Sequence, residues 1–171
     1  MGEEQHVSWQ ELLATSREDF ESGTDFTLAV EEEFALLDPQ TLELTDRFEE
    51  VYAAAIETDL APNIVGELIA SEVEVRTGRC ESFGEAAAAM QERRGQLHAV
   101  TRELQVALGG IGAHPWSRWQ DQRIIDTPHY RRNDELLRYV VWRNNTFGLH
   151  VHVGINGPDR EIGRASCRER V

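Results

Sequence analysis

The sequence predicts an α+β fold built on a curved, mainly antiparallel sheet. Two segments, near residues 25–38 and 147–155, are apolar and rich in β-forming residues, and the second alternates strictly. Capped helical segments alternate irregularly with them. This order of elements is compatible with β-hairpins and with few parallel crossover connections, which favours an antiparallel sheet. With 171 residues, of which 40% are hydrophobic, the chain is long enough for one domain with a substantial core.

Each predicted element follows from local signals. Ser8 and Glu11 form a capping box, which predicts a first short helix ending at Gly23. Ser82 and Glu85 form a second box at the start of the longest helix. The remaining predictions are a strand over 25–38, a turn at "DPQT", a short strand over 42–45, a helix over 46–60, mixed strand-like residues over 63–78, a helix from 83 to its stop at Gly109, a helix over 128–143 and a strand over 147–155.

Two of the helices are predicted to face the core through an apolar stripe. The stripe residues are Phe48, Val51, Tyr52 and Ile56 in the helix over 46–60, and Ala86, Met90, Leu97, Val100, Leu104 and Ala107 in the longest helix.

Charge and composition exclude several classes of partner. The formal net charge is −14, which argues against a nucleic acid or an anionic membrane. Every basic residue is arginine, so phosphate handling must use arginine, metal ions or backbone amides. Cys80 and Cys167 have neither disulfide nor zinc spacing. No secretory signal or membrane-spanning run is evident, so a cytoplasmic protein is expected.

Three adjacent glutamates interrupt the first predicted strand. Side chains alternate along a strand, so Glu31 and Glu33 share one face while Glu32 points to the other. Two carboxylates on one face can converge on a hard divalent cation, which prefers oxygen ligands. The alternative is an exposed acidic face without a ligand.

Histidines and further glutamates occur in two other apolar segments. His150 and His152 share a face of the last predicted strand, an arrangement suited to a metal or a phosphate, or to two hydrogen-bonded structural histidines. Glu67 and Glu74 are seven residues apart and would lie on opposite faces of one regular strand. A helix, or two short strands joined by a bend near Ala70, would return them to one side. Together the carboxylates and imidazole suggest Mg²⁺ or Mn²⁺ holding nucleotide phosphates.

Four stretches resemble glutamate–cysteine ligase family 2, the carboxylate–amine ligases. They are "TLAVEEEFALLDPQTLEL", "ELIASEVEVRTGRCESFGEA", "GAHPWSRWQDQ" with "HYRR", and "GLHVHVGI", and their order is specific although each alone is weak. Members often carry glycine where this chain has Ala29. The resemblance implies a glutamine-synthetase-like catalytic fold, whose curved antiparallel sheet holds ATP and divalent ions on its concave face.

The resemblance also implies roles for individual residues. Glu31, Glu33, Glu67, Glu74 and His150 would bind metal, and His150 would lie near the ATP phosphate as the catalytic histidine. His152 and Arg76 would contact the nucleotide and His114 the substrate. The implied reaction activates the γ-carboxylate of glutamate with ATP, as a γ-glutamyl phosphate, for attack by cysteine or another amine. Small molecules are thus the expected partners.

The resemblance further predicts the domain organisation. Residues 1–24 form an N-terminal extension, and residues 25–160 the N-terminal part of a ligase domain about twice as long, whose later half supplies another metal-binding glutamate. Residues 161–171 resemble a translated sequencing adapter and are interpreted as a non-native tail, the alternative being a genuine polar tail. The chain alone is expected to be inactive. Two other functions stay open, a non-catalytic module that binds divalent metal or anions and a metal-dependent hydrolase.

Overall fold

An antiparallel sheet organises the protein in the computed structural model, which describes residues 8–157. Its strands are β1 (Leu28–Leu37), β2 (Ile64–Val65), β3 (Glu72–Arg76), β4 (Ala107–Gly109) and β5 (Leu149–Val153). The order is β2-β3-β1, and the other edge of β1 pairs with β5 in its first half and with β4 near its end. All of these pairs are antiparallel, and helices accompany the sheet, so the predicted α+β class is confirmed.

Five helices connect or cover the strands. They are α1 (Trp9–Ser22), α2 (Phe48–Ala55), α3 (Phe83–Glu103), α4 (Pro128–Leu137) and α5 (Tyr139–Trp142), with 3-10 turns at Ala61–Asn63 and Trp119–Asp121. The capping box at Ser8 is complete. Ser82 caps α3 by accepting from the Glu85 amide, but the Glu85 carboxylate accepts from Glu81 instead of Ser82. None of the helices within residues 8–157 is both long and apolar enough to cross a bilayer.

The main core lies between α2, α3 and one face of the sheet. Phe34 and Leu36 of β1 and Val73 and Val75 of β3 project from this face, as their positions in the two strands require. They pack against buried residues of the two helices, which are Phe48, Val51, Ala55, Met90, Leu97 and Val100. The predicted helix stripes are therefore correct at most positions. Tyr52 and Ile56 are exceptions, because they are 37% and 41% exposed and Ala55 takes the core position.

The longest helix ends earlier than predicted. Instead of continuing to Gly109, α3 ends at Glu103, and Gln105 adopts a positive φ of 55°. The chain then turns into β4, whose residues pair with the end of β1. In β4 the backbone N–H and C=O groups form hydrogen bonds with β1. In a longer helix the same groups would have formed hydrogen bonds within the helix. The predicted stripe residue Ala107 consequently belongs to the sheet.

Two further elements differ from the prediction. The helix predicted over 128–143 is broken at Arg138, whose φ of 41° separates α4 from α5. The short strand predicted over 42–45 is reduced to one bridge between Leu44 and Leu37. The predicted tail, residues 161–171, lies outside the described residues, and the domain division stays a prediction.

Gly154 allows the end of β5 to approach the start of β1. A Cβ at this position would lie 2.1 Å from the Thr27 hydroxyl and 2.6 Å from the Thr24 carbonyl oxygen. We expect Gly154→Ala to destabilise the protein by about 1–3 kcal/mol, because a backbone atom cannot move aside cheaply. Urea denaturation would measure this. Gly95→Ala is the matched control, since Gly95 lies in α3 with open space around it and should gain up to about 1 kcal/mol. Equal midpoints for both variants would contradict the expectation.

Candidate functional site

One face of the sheet, opposite the main core, carries an unusual set of polar side chains. We call it the carboxylate face and define it by Glu31, Glu33, Glu72, Glu74, Arg76, His150 and His152. In the strand register Glu31 lies opposite both Arg76 and His150, and Glu33 lies opposite Glu74. Directly opposed residues of antiparallel strands project to the same side. The structure thus brings together the residues predicted on β1, β3 and β5.

Glu31 lies at the accessible end of this face, beside both histidines. Its Oε2 is 3.0 Å from Nε2 of His152 and 3.7 Å from Nδ1 of His150. The His150 Nδ1 is also 3.7 Å from a carboxylate oxygen of Glu33, so the ring lies between two acids. The hydrogen bond from His152 is the main cause that lowers the pKa of Glu31. The two imidazoles are more than half exposed and border an open cleft.

Glu33 is buried deeper, where β1 passes from its pairing with β5 to its pairing with β4. The backbone amide of Gly148 donates to the Glu33 carboxylate, and the Glu33 amide donates to the Gly148 carbonyl. A Cβ at Gly148 would lie 2.9 Å from Nε2 of His150 and 3.2 Å from the Glu33 carboxylate. The absence of a side chain at Gly148 therefore leaves space for the acid and the imidazole to approach each other, and a larger residue would displace one of them.

Glu74 and Arg76 form a charge pair on β3. The Arg76 guanidinium donates to Glu74 and lies 3.4 Å from Glu31, so one cation serves two strands. Glu74 is almost fully buried. Burial is the largest influence on its pKa and raises it, while the bond from Arg76 opposes this shift.

Glu67 reaches the same cluster from a loop. The residues between β2 and β3 connect the two strands of a hairpin. This resembles the second predicted arrangement, two short strands joined by a bend, except that β2 ends at Val65 and Glu67 lies in the connection. Burial raises the pKa of Glu67, and the charges of Glu74 and Glu33 raise it further. A hydrogen bond with Tyr130 of α4 acts in the opposite direction. Tyr130 was not anticipated from the sequence.

Glu72 is the functional candidate that the sequence interpretation missed. It lies two residues before Glu74 on the same face of β3 and opposite Ala35 of β1. It is only 1% exposed, and burial, followed by the charge and hydrogen bond of Glu33, raises its pKa to about 9. The signal was present, because "EVE" in β3 repeats the Glu-x-Glu alternation of β1.

Glu32 confirms that the three adjacent glutamates divide between two faces. Its carboxylate binds Arg94 of α3 through two hydrogen bonds of 2.5 and 2.7 Å, on the helix-covered side of the sheet. The bidentate geometry suits a guanidinium and a carboxylate. The structure therefore gives Glu32 a structural partner away from the carboxylate face.

His114 has contacts away from the carboxylate face. Its Nε2 lies 2.8 Å from the carbonyl oxygen of Leu42, and its Nδ1 lies 3.1 Å from the amide of Ser117. The ring also packs edge-on against Trp116. Both nitrogens thus have local partners that fix the loop after β4, and the substrate contact predicted for His114 stays a prediction.

The donors of the carboxylate face, together with Glu67 from the neighbouring loop, suit a divalent cation by their chemistry. Glu31, Glu33, Glu67 and Glu74 supply carboxylate oxygens and His150 an imidazole, which Mg²⁺ and Mn²⁺ accept. Glu72 and Glu74, which are buried, and Glu67, which is partly buried, have raised pKa values, chiefly because burial disfavours the charged form and also because neighbouring acids repel it. Within residues 8–157, no three histidine, cysteine, aspartate or glutamate side chains already converge as a metal-ligating group. The fit therefore rests on donor type and on uncompensated charge.

The fold and the site define a class of protein, namely an α+β domain whose antiparallel sheet presents clustered carboxylates and histidines. The family model of "Glutamate-cysteine ligase family 2(GCS2)" matches residues 27–168. The chain therefore belongs to glutamate–cysteine ligase family 2, which confirms the resemblance predicted from the sequence.

Individual relatives agree with this family. The chain is 38% identical to "Putative glutamate--cysteine ligase 2-1" of Rubrobacter xylanophilus over 140 residues, which is 82% of this chain and 37% of that protein. It is 35% identical to "Glutamate--cysteine ligase" of Halobacterium salinarum over 142 residues, covering 83% of this chain and 39% of that protein. The chain thus spans about two fifths of the length of the curated relatives it matches.

Proposed function

We propose that this chain is the N-terminal part of an ATP-dependent carboxylate–amine ligase. The full-length protein would join the γ-carboxylate of glutamate to the amine of cysteine, or of another amine, through a γ-glutamyl phosphate. Its catalytic domain would have a glutamine-synthetase-like fold in which the carboxylate face is the concave, ligand-binding side of the sheet. Membership of the family supports the reaction class.

One observation carries the proposal. The register of β1 with β3 and β5 puts Glu31, Glu33, Glu74 and His150 on one face. Glu67 lies close enough for the charges of Glu33 and Glu74 to raise its pKa. These residues come from four separate segments of the chain. Acids gathered from distant segments onto one face, with burial opposing their charge, are typical of a site built for cations.

Each of these residues has a role in the proposal. Glu31, Glu33, Glu67, Glu74 and His150 would hold Mg²⁺ or Mn²⁺. A bound metal would neutralise charge on the phosphate oxygens. His152 and Arg76 lie at the accessible end of the face and carry or can carry positive charge, so they would bind the nucleotide phosphates. His150, which would hold the metal as a neutral imidazole, would lie beside the same phosphates. His114 would contact substrate.

The proposed chemistry has two steps. A γ-carboxylate oxygen of glutamate attacks the terminal phosphorus of ATP, the bond to ADP breaks, and γ-glutamyl phosphate forms. The amine nitrogen then attacks the acyl carbon, phosphate leaves, and a proton is released to water. Phosphoryl transfer of this kind depends on positioning and charge neutralisation. Arg76 and His150, which contact Glu74, Glu31 and Glu33, would orient a phosphate at the open end of the face.

The decisive test is an assay on a full-length form of the protein. We expect release of phosphate from ATP that requires glutamate, an amine such as cysteine, and Mg²⁺ or Mn²⁺. Chelation of the metal should abolish it. Mn²⁺ binding without turnover for any tested amine would instead favour a non-catalytic module that binds divalent metal or anions, and hydrolysis without an amine would favour a hydrolase.

The 171-residue chain alone is expected to show no ligase turnover. Among residues 8–157, β5 pairs only with β1, and Leu149, Val151 and Val153 of β5 are 41–61% exposed. An exposed apolar strand of this kind normally packs against further structure. The measurement is phosphate release under conditions in which the full-length form is active. Turnover by the 171-residue chain comparable to that of the full-length form would contradict this expectation.

A further inference from the structure

Glu72 is the most deeply buried acid of the carboxylate face. It is 1% exposed, compared with 2% for Glu74 and 9% for Glu33. Its Oε1 is buried and has no hydrogen-bond partner among residues 8–157. A buried polar atom without a partner destabilises the fold, and a charged one does so more strongly. Such an atom in a native fold requires an explanation.

The surroundings of Glu72 supply negative charge. Glu33 lies within hydrogen-bonding distance of it, and the charges of Glu67 and Glu74 also act on it. The arginine nearest in the strand, Arg76, pairs with Glu74 and Glu31. None of the ion pairs within residues 8–157 includes Glu72. An orphaned, buried oxygen therefore lies among three acids that act on it electrostatically, and no ion pair from residues 8–157 offsets its charge. These side chains do not already converge as a metal-ligating group, so binding would require them to move toward the cation.

We propose that Glu72 supplies an oxygen ligand to a divalent-cation site that it shares with Glu33 and Glu67. This inference rests on the proposed function, since it adds one carboxylate to the metal-binding set of that site. A divalent cation would satisfy the unpartnered oxygen and balance the surrounding acids at the same time. The competing explanation is that Glu72 is a neutral acid that shares a proton with Glu33 and binds no metal.

Mn²⁺ binding to the purified 171-residue chain separates the two explanations. The chain is first freed of metal with a chelator, and binding of Mn²⁺ alone is measured by electron paramagnetic resonance and by calorimetry. Glu72→Gln is expected to raise the Kd of at least one Mn²⁺ ion by about tenfold or more, because it removes a charged ligand. Glu57→Gln changes an exposed glutamate of the turn after α2 and should leave the Kd unchanged.

Glutamine has the shape of a neutral glutamic acid, so Glu72→Gln should fold if the acid is neutral in the metal-free protein. Circular dichroism checks this, and Glu72→Asp provides a second variant that keeps the charge but shortens the side chain. We expect an intermediate Kd for Glu72→Asp. A wild-type Kd for Glu72→Gln overturns the inference and supports the shared proton, provided that Glu33→Gln and Glu67→Gln weaken binding.

The same experiment shows whether the inference or the proposed function has failed. If Mn²⁺ binds the wild-type chain and Glu72→Gln alone leaves the Kd unchanged, Glu72 is not a metal ligand and the other proposed ligands are retained. If the folded wild-type chain binds no Mn²⁺ and gains no thermal stability from it, the metal site of the proposed function fails and this inference fails with it. Weaker binding by Glu72→Gln, with normal binding by Glu57→Gln, supports both.

Discussion

Replacing Glu31 or Glu33 with glutamine is expected to lower the metal-dependent turnover of the full-length protein on the order of 100-fold or more. If these acids hold the proposed metal, losing one of them removes several kcal/mol of the charge neutralisation that the proposed phosphoryl transfer would need. Both acids lie on the carboxylate face, opposite Arg76, His150 and Glu74. Phosphate release at varied Mg²⁺ or Mn²⁺ concentration measures the effect, and the loss should be partly recovered at high metal concentration.

Glu32→Gln is the matched control within the same three residues. Its carboxylate faces α3 and binds Arg94, so the change weakens an ion pair at a partly exposed arginine. The expected cost is about 1 kcal/mol or less of folding free energy, with turnover and metal dependence close to those of the unchanged protein. Equal losses of turnover at positions 31, 32 and 33 would show that the assignment of the faces is wrong.

The alternation of side chains along a strand explains why the division of the three adjacent glutamates between two faces could be predicted. A period of two residues is a property of the backbone, so it divides Glu31, Glu32 and Glu33 correctly without knowledge of any neighbour. The strand register could not be predicted in the same way. It depends on the hairpin between β2 and β3 and on the junction at Gly148, and these contacts decide that Glu74 and His150 come beside Glu33 and Glu31.

The errors in the helices concern where the helices end, not where they begin. Signals for the start of a helix are local. Ser8 and Ser82 cap helices as predicted, and Thr127 caps α4, which begins at the predicted residue 128. The end of α3 is set by a tertiary contact, because the segment after it forms β4 and pairs with the end of β1. The break between α4 and α5 occurs at Arg138, whose positive φ no sequence signal predicts.

Glu72 shows a second limit on predicting the site from the sequence. The sequence places it beside Glu74 by alternation, but its interest comes from burial and from an oxygen without a partner, and both are properties of the assembled structure. A sequence pattern can identify candidate ligands. The cost of burying them, which distinguishes a site from a solvated acidic surface, becomes visible only when the neighbouring strands and the loop with Glu67 are in place.

The metal-free chain is expected to become less stable as the pH rises from about 5 to about 9. Glu72 has a pKa raised to about 9 in the folded state, compared with 4.5 for an ordinary glutamate, and the pKa values of Glu67 and Glu74 are raised as well. Between these two values the folded protein retains protons that the unfolded chain has lost. Unfolding therefore releases protons, and a higher pH favours it.

Urea midpoints in the presence of a chelator, taken across this pH range, measure the effect. Glu72→Gln should flatten the dependence, since glutamine does not titrate, whereas Glu57→Gln should leave the slope unchanged. Saturating Mg²⁺ should also reduce the slope, because ionised carboxylates bind the cation and the bound cation stabilises the folded state. Stability that is flat or rises with pH in the metal-free chain would contradict the expectation. It would mean that the acids of the carboxylate face ionise in the folded protein at no free-energy cost. A cation would then not be needed to offset their charge.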